Sequence, residues 1–386
     1  MSQLVICGYD AIKQLPAILK EKAYKSIFLV TGKTSYTISG AEKVLSGILA
    51  PYEIIRFFDF EENPKLGDLL KGIKSFQENN QDLVIGIGGG TVLDMAKMIS
   101  IFAPQEFHPL QYINGKRKIR SRGRHSLIAI PTTAGSGSQA TDFAVIYVDK
   151  KKYSVAHPQI LPDVAIVDPQ FLKSLPGPTA ASSGMDALSQ AIESYWSIYS
   201  TEESKTKSRE AIKLLFNNLR QVTQNPSTES LLAVAKGSHL AGEAIRITKT
   251  TAPHAISYPL TSHFNIPHGH AVGLTLSAIL IYNSQVSEED TLDIRGAAHV
   301  KQTIDELCAL LNARDPGEAK VNLDKLMDEI GLTRDFRALG LRAKADIEKV
   351  LKLGFDPARV NNNPRKLSAE SLRKIMLQLY GQSREK

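Results

Sequence analysis

The sequence predicts a protein of two domains: an α/β N-terminal domain of Rossmann type with a parallel sheet at residues 1–176, and an all-helical domain at residues 177–386. Three observations favour this class. Short apolar runs alternate with amphipathic stretches through the first half. One run, residues 83–87, is apolar throughout, which is typical of a strand covered by helices on both faces. After Pro176 the alternation gives way to long helical patterns.

The predicted strands are the apolar runs of the first half, at residues 26–31, 52–58, 83–87, 127–130, 144–148 and 164–167. The clearest predicted helices of the second half lie at residues 181–195, 204–219, 230–247, 300–311 and 367–379. No Pro-, Gly- or Ser-rich linker separates the halves, so we expect them to pack tightly around one cleft.

Composition excludes several classes of protein. The 386 residues are 42% hydrophobic and 23% charged, which is typical of a soluble, enzyme-sized chain. The apolar runs fall far short of the roughly 20 residues of a membrane span. The N-terminus lacks the basic head and apolar centre of a secretory signal, so we expect a cytoplasmic protein. Because the chain has only two cysteines, any metal must be held by His and carboxylate.

The net charge of +7 and the basic run at residues 116–124 raise the question of nucleic-acid binding. The run has no interleaved aromatic residues, and the chain has no zinc-finger or helix-turn-helix signature. We therefore expect no nucleic-acid partner. A solvated basic loop is the favoured interpretation, followed by binding of an anionic small molecule.

Two glycine-rich segments follow predicted strands. Residues 88–91 lie at a strand-to-helix turn, where backbone N–H groups can approach a pyrophosphate, and the next residues, from Asp94 to Lys97, open an amphipathic helix. The spacing of these glycines is not that of the GxGxxG fingerprint, so the triplet of glycines at residues 88–90 by itself also fits a plain tight turn. Residues 131–138 form a second loop rich in hydroxyl groups. Two such loops at the carboxyl ends of neighbouring parallel strands favour nucleotide binding.

Candidate metal ligands occur in the second half. Asp186 and Gln190 are four residues apart on a predicted helix and therefore share one face. His254 and His268 follow, 14 residues apart. A single histidine is weak evidence for a metal site, but these segments occur together with two glycine-rich loops.

Taken together, these segments resemble the iron-containing alcohol dehydrogenases, the group III family with a dehydroquinate-synthase-like fold. The resemblance runs nearly end to end, through residues 58–59 and 63–64, 88–91 with Asp94 and Lys97, 131–138, 168–169, 184–188, 254–269 and 363–365. It implies a metal-dependent, NAD(P)-linked alcohol dehydrogenase or aldehyde reductase that acts on a small aldehyde or alcohol and forms a homodimer.

The family's ligand set is one Asp and three His. The resemblance carries this set over to Asp186, His254 and His268, while Gln190 occupies the remaining position. The three strong ligands suffice for Fe²⁺ or Zn²⁺. Gln190 then completes the site as a weak neutral ligand or leaves a position open for water and substrate; the alternative is that the metal has been lost and Gln190 simply packs.

A second departure is Tyr258, where relatives usually carry a further His near the nicotinamide. Tyr258 is a catalytic candidate as a hydrogen-bond donor, and lining the pocket is the alternative. Proton delivery to the alkoxide stays open between water, a ribose hydroxyl and Tyr258.

The resemblance also implies the cofactor site. After the second predicted strand, where the family commonly has an acidic residue that selects NAD, this chain has Gly32 and then Lys33. This favours NADPH over NADH, because no carboxylate repels a 2′-phosphate. The cofactor-binding candidates are Gly32, Lys33, Asn63, Gly89, Gly90, Thr91, Asp94, Thr132, Thr133, Ser136, Ser138 and Lys152.

Cationic residues before the first ligand histidine predict an anionic substrate. The segment from Lys249 through Pro259, continued by residues 268–272, is similar to the phosphonoacetaldehyde reductase branch of the family. The candidates for substrate binding are Arg246, Lys249, His270 and Arg295, and Lys249 is also a catalytic candidate. Surface ion pairing is the alternative for Arg246 and Arg295. A polyol or simple-alcohol dehydrogenase, or a dehydroquinate-synthase-like lyase, remains an alternative function.

Overall fold

The structure, a computed structural model, describes residues 3–79, 81–149, 151–354 and 360–382. The chain divides into two compact units, Met1–Leu175 and Pro176–Lys386. The first unit is α/β and the second is helical, which confirms the predicted fold class.

The first unit is built on a six-stranded parallel sheet. Its strands are β1 (Leu4–Cys7), β2 (Ser26–Thr31), β3 (Glu53–Phe57), β4 (Leu83–Gly88), β5 (Ser126–Pro131) and β8 (Val164–Val167). They lie in the order β1-β8-β5-β4-β2-β3, and every neighbouring pair is parallel. Every residue of β4 is buried, as expected for a strand covered on both faces.

One predicted strand lies outside this sheet. β6 (Phe143–Val148) pairs antiparallel with β7 (Lys151–Ala156) in a separate two-stranded sheet. The alternating burial of β6 reflects a ribbon with one face packed on the core, which the apolar content of the run alone does not distinguish from a sheet strand.

Helices connect the strands of the first unit. They are α1 (Leu15–Glu21), α2 (Ser35–Ile38), α3 (Ala41–Leu49), α4 (Leu66–Asn79), α5 (Gly90–Phe102) and α6 (Pro109–Ile113). α5 begins at Gly90 rather than at Asp94, and it is buried on nearly all sides rather than amphipathic. Lys97 lies wholly within the protein, where its ammonium donates to the carbonyl oxygens of Ser138 and Phe143.

The second unit consists of helices in the residues that the structure describes. They are α7 (Gly177–Trp196), α8 (Glu202–Gln224), α9 (Thr228–Thr248), α10 (Ala252–Phe264), α11 (His268–Ser284), α12 (Ala297–Leu310), α13 (Pro316–Glu329), α14 (Lys344–Gly354) and α15 (Ala369–Gln382). Among the described helices, none combines the length and the apolar character that crossing a bilayer requires.

The helices that the sequence pattern did not predict include α10 and α11, which carry the two candidate ligand histidines. Pro259 lies inside α10, a residue that usually ends or kinks a helix. α11 is buried around most of its circumference and therefore lacks the polar stripe that reveals a helical period.

Candidate metal centre and cofactor loops

Three candidate ligands come together in the second unit. Asp186 lies in α7, His254 in the first turn of α10 and His268 at the first residue of α11. One ligand atom from each side chain lies within 4.8 Å of those of the other two. Asp186 and His254 are buried and His268 is half-buried. The helix packing thus collects the carboxylate and imidazole ligands that Fe²⁺ or Zn²⁺ takes in proteins.

A buried carboxylate orients His254. Oε1 of Glu193, which is fully buried, bonds Nδ1 of His254, while Oε2 accepts hydrogen bonds from the backbone N of Thr251 (2.6 Å) and its hydroxyl (2.9 Å). Nε2 of His254 lies 3.1 Å from Oδ1 of Asp186. Because Nδ1 is taken by Glu193, Nε2 is the nitrogen that faces the candidate metal site.

The electrostatic environment of His254 suits a cation. Burial lowers the pKa of His254, but the charge of Glu193 and the hydrogen bonds to Asp186 and Glu193 outweigh burial and raise this pKa to about 9. Two carboxylates therefore concentrate negative charge around one imidazole. A divalent cation that takes the place of the proton on Nε2 would compensate that charge.

His268 is held by neighbours from α10. The Ser257 hydroxyl donates to the backbone oxygen of His254 (2.7 Å) and lies 3.4 Å from Nδ1 of His268. Since that hydroxyl has one hydrogen, its oxygen would accept from Nδ1–H of His268 in the second contact, and Nε2 would then be the ligand atom. The Tyr258 ring stacks nearly parallel to His268, with centroids 6.1 Å apart, and Tyr258 is half-buried beside the site.

The buried amide of Gln190 is compatible with a metal bound beside it. It lies one turn after Asp186 in α7, and only 4% of its surface is exposed. Its Oε1 accepts no hydrogen bond from any residue that the structure describes. An orphaned buried amide oxygen is costly, and a cation beside it would remove that cost. The 3.1 Å between Nε2 of His254 and Oδ1 of Asp186 is also close to the spacing of about 3.4 Å for two ligands at about 2.1 Å in a tetrahedral site.

Lys249 has an unusual backbone. It caps the C-terminus of α9 with φ 62° and ψ 174°, a combination that is essentially restricted to glycine. A lysine there costs about 1–3 kcal/mol of strain. Lys249 is exposed, and two residues later Thr251 bonds Glu193, so the segment is linked to His254 through hydrogen bonds.

The structure places the other substrate candidates differently. Arg246 is half-buried in the last turn of α9. The pKa of His239 is lowered mainly by burial, and the charges of Lys207 and Arg246 lower it further against the raising effect of Glu243. The Arg295 guanidinium bonds both carboxylate oxygens of Asp293 and the backbone oxygen of Ser200. These contacts favour the ion-pair interpretation of Arg295.

His270 is buried in α11. Its Nε2 bonds the backbone oxygen of Thr333 (2.7 Å) and its backbone N bonds the hydroxyl of Ser182. Burial lowers the pKa of His270, against the raising effect of the hydrogen bond to Thr333. A neutral ring with one nitrogen bound to the backbone is a weak candidate for holding an anion.

The two glycine-rich loops of the first unit are neighbours. β4 and β5 pair so that Gly88 is opposite Pro131, and both loops therefore leave the same edge of the sheet. A Cβ on Gly90 would lie 2.8 Å from the Ser136 hydroxyl, so the loops approach each other closely only because Gly90 has no side chain. Gly89 and Gly90 also begin α5, where free N–H groups favour a phosphate.

Several cofactor candidates support these loops from within. Ser138 donates to Asp94 (2.5 Å), whose other oxygen accepts from the backbone N of Val145 (3.0 Å). Burial raises the pKa of Asp94, while Lys97 and Lys152 stabilise its charged form. Thr132 is buried and its N–H bonds the oxygen of Gly88. These groups hold the shape of the edge on which a nucleotide would lie.

Other candidates lie at the surface of the same edge. Thr133 and Ser136 are half-buried in the second loop, and Lys33 is exposed after Gly32. The backbone N of Asn63 lies 3.4 Å from the Thr91 hydroxyl, which brings the start of α5 next to the segment after β3.

Glu193 is the residue that sequence reasoning missed. The spacing in the sequence could have indicated it: Glu193 follows Asp186 by seven positions and Gln190 by three, and it therefore shares their face of α7. A glutamate in a helix is usually a solvated residue, and the pattern alone did not set it apart.

The chain matches a known family throughout most of its length. Residues 2–169 match the profile described as iron-containing alcohol dehydrogenase, and residues 180–380 match that of the C-terminal part of the Fe-containing alcohol dehydrogenase family.

Among curated proteins, phosphonoacetaldehyde reductase of Streptomyces viridochromogenes is 34% identical over 76% of this chain and 75% of its own length. Long-chain-alcohol dehydrogenase 1 of Geobacillus thermodenitrificans is 33% identical over 75% of this chain and 74% of its own. Among solved structures, sulfoacetaldehyde reductase from Bifidobacterium kashiwanohense in complex with NAD⁺ has a TM-score of 0.87 at 26% identity, covering 98% of this chain and 97% of that chain.

Proposed function

The chain belongs to the iron-containing alcohol dehydrogenase family, and from that premise we propose that it reduces a small anionic aldehyde, such as phosphonoacetaldehyde, to the primary alcohol 2-hydroxyethylphosphonate. The reductant is a nicotinamide cofactor, with NADPH preferred. The oxidoreductase role itself follows from the family. The anionic substrate and the preference for NADPH are our proposals.

The observation that carries the substrate proposal is the backbone of Lys249. Glycine would adopt φ 62° and ψ 174° without strain, and yet the chain has a lysine there. Strain that is kept at one position indicates that the side chain contributes something that glycine cannot. Lys249 is exposed on the segment that leads to His254, and its ammonium would pair with the phosphonate of the substrate.

Two relatives support this substrate class. One is named for phosphonoacetaldehyde and the other for sulfoacetaldehyde, and each aldehyde carries an acidic group one carbon from the carbonyl. A third relative is named for long-chain alcohols, and it makes a neutral substrate the alternative to be tested.

Asp186, His254 and His268 would hold a divalent cation, with Gln190 beside it. When bound, such a cation acts as a Lewis acid that stabilises the negative charge developing on the carbonyl oxygen. Glu193 keeps His254 in the tautomer that presents Nε2. The stacked ring of Tyr258 lies beside His268, where its hydroxyl is a candidate proton donor to the product alkoxide.

The Lys249→Gly variant tests the substrate. We expect kcat/KM for phosphonoacetaldehyde to fall roughly 10- to 150-fold, because a charge-assisted hydrogen bond contributes about 1.5–3 kcal/mol. Activity on 3,3-dimethylbutyraldehyde, which has an uncharged group of similar shape, should change little. Tm should stay the same or rise, since glycine relieves the strained backbone. Steady-state kinetics and a thermal melt measure both effects.

Lys249→Met is the matched control, because it removes the charge and keeps the strain. It should lose activity on the anionic aldehyde as the glycine variant does, and its Tm should not rise. An equal loss on charged and neutral aldehydes would contradict the role of Lys249. If neither NADPH nor NADH is oxidised with any of these aldehydes, the proposed reduction is wrong.

Replacing Gln190 tests its place at the metal. Gln190→His supplies an imidazole, a stronger ligand than the amide, and we expect Zn²⁺ affinity, measured by competition with a chelator, to rise by at least about tenfold, or about 1.4 kcal/mol. Gln190→Leu distinguishes coordination of the metal by the amide from an open coordination position beside it. Weaker Zn²⁺ binding in this variant indicates coordination by the amide, and unchanged binding indicates an open position for water and substrate. Zn²⁺ affinity that is the same in all three proteins would place Gln190 away from the metal.

A further inference from the structure

Arg56 lies in β3, and its guanidinium reaches across to the end of β2. Nε donates to the hydroxyl of Thr31 at 2.9 Å, and Nη2 donates to the backbone oxygen of Gly32 at 3.4 Å. A positive charge is therefore held at the carboxyl end of β2, beside Gly32.

Two aromatic rings hold the guanidinium in this position. Its central carbon lies 4.5 Å from the centroid of Tyr36 and 4.8 Å from that of Phe58. Contacts of this kind favour arginine and restrict its side chain. The side chain of Arg56 is 30% exposed, so a ligand can reach it. Of the five N–H donors of a guanidinium, two are used in the hydrogen bonds to Thr31 and Gly32.

In Rossmann-type folds, the end of the second strand meets the adenosine ribose. A carboxylate there binds the 2′-hydroxyl of NAD, and a nearby arginine accommodates the 2′-phosphate of NADP. We propose that Arg56 is the residue that selects NADPH, by binding the 2′-phosphate with its remaining donors beside Gly32. This inference rests on the proposed nicotinamide-dependent function and names a residue for its cofactor preference.

A neighbouring carboxylate moderates this site. Glu42 lies 4.0 Å from Nη1 of Arg56, and it is fixed by a hydrogen bond from the Thr37 hydroxyl at 2.6 Å. Its charge opposes a phosphate at Arg56. Removing that charge should therefore strengthen phosphate binding, which gives a variant with an effect opposite to that of removing Arg56.

The test is calorimetric titration of the full chain with NADPH, NADH, adenosine 2′-monophosphate and adenosine 5′-monophosphate. We expect Arg56→Gln to weaken binding of NADPH and of the 2′-monophosphate about tenfold and to change NADH less than about twofold. Glu42→Gln should tighten NADPH about threefold. Arg117→Gln is the matched control, because Arg117 is exposed and, like Arg56, stacks on an aromatic ring, that of Phe107 at 4.0 Å. It should leave binding of all four ligands unchanged.

Equal weakening of NADPH and NADH by Arg56→Gln, or no weakening of NADPH, would overturn the inference. If that variant does not fold, an unchanged ratio of NADPH to NADH affinity in Glu42→Gln overturns it instead. Wild-type protein that binds NADH as tightly as NADPH contradicts the role of Arg56 and leaves the proposed reduction standing. If the wild-type protein binds neither NADPH nor NADH, both the role of Arg56 and the proposed reduction are wrong.

Discussion

His268→Ala is expected to lose its bound divalent metal and to reduce aldehydes at least about 1000-fold more slowly. His268 would supply one of three strong ligand groups, and Gln190 is too weak a ligand to replace it. The loss corresponds to about 4 kcal/mol of charge stabilisation on the carbonyl oxygen. Because His268 is half-buried and not in the core, the variant should remain folded. Metal analysis of the purified protein and kcat/KM measure the two effects.

His263→Ala provides the comparison. His263 is exposed in the last turn of α10, five residues before His268, and the same substitution there should leave metal content and turnover unchanged. Full metal occupancy together with undiminished turnover in His268→Ala would rule out the metal site described above.

Gly269→Ala is expected to destabilise the second unit and to damage the metal site at the same time. A Cβ on Gly269 would lie 1.9 Å from the backbone oxygen of Ser182 and 2.7 Å from Cβ of Asp186. Backbone atoms cannot rotate away, so α11 must move from α7, at a cost of about 1–3 kcal/mol or more. That movement separates His268 from Asp186, and a displacement of about 1 Å can cost about 100-fold in rate. Thermal melting and metal affinity measure these losses.

Gly47→Ala is the matched control. Gly47 is an exposed glycine within α3, and in the described part of the chain no atom beyond its neighbours and the nearby helix backbone lies within 4 Å of the Cβ that would be added there. Alanine should raise helix stability at this position by about 0.5–1 kcal/mol. If Gly269→Ala melts and binds metal as the wild type does, the close approach of α11 to α7 is not required for the site.

Local sequence patterns predicted the fold class and most strands of the parallel sheet. Buried strands such as β2 and β4 are continuous apolar runs. Such a run can be recognised from composition alone, without knowing how the strand pairs with its neighbours. β1, whose apolar residues are largely exposed at the edge of the sheet, was missed. β7 was missed as well, because its sequence is mostly polar. Edge and ribbon strands depend on their partners more than on their own composition.

The sequence by itself determined the fold class and the chemical types of the candidate ligands, because periodicity and residue type are local properties. Tertiary structure alone decided which groups meet. Glu193 bonds His254 across 61 positions, Arg295 donates to the backbone oxygen of Ser200 across 95 positions, and Arg56 reaches Gly32 from another strand. Each of these contacts is set by how helices or strands pack, and the free energy of that packing depends on surfaces far apart in the chain.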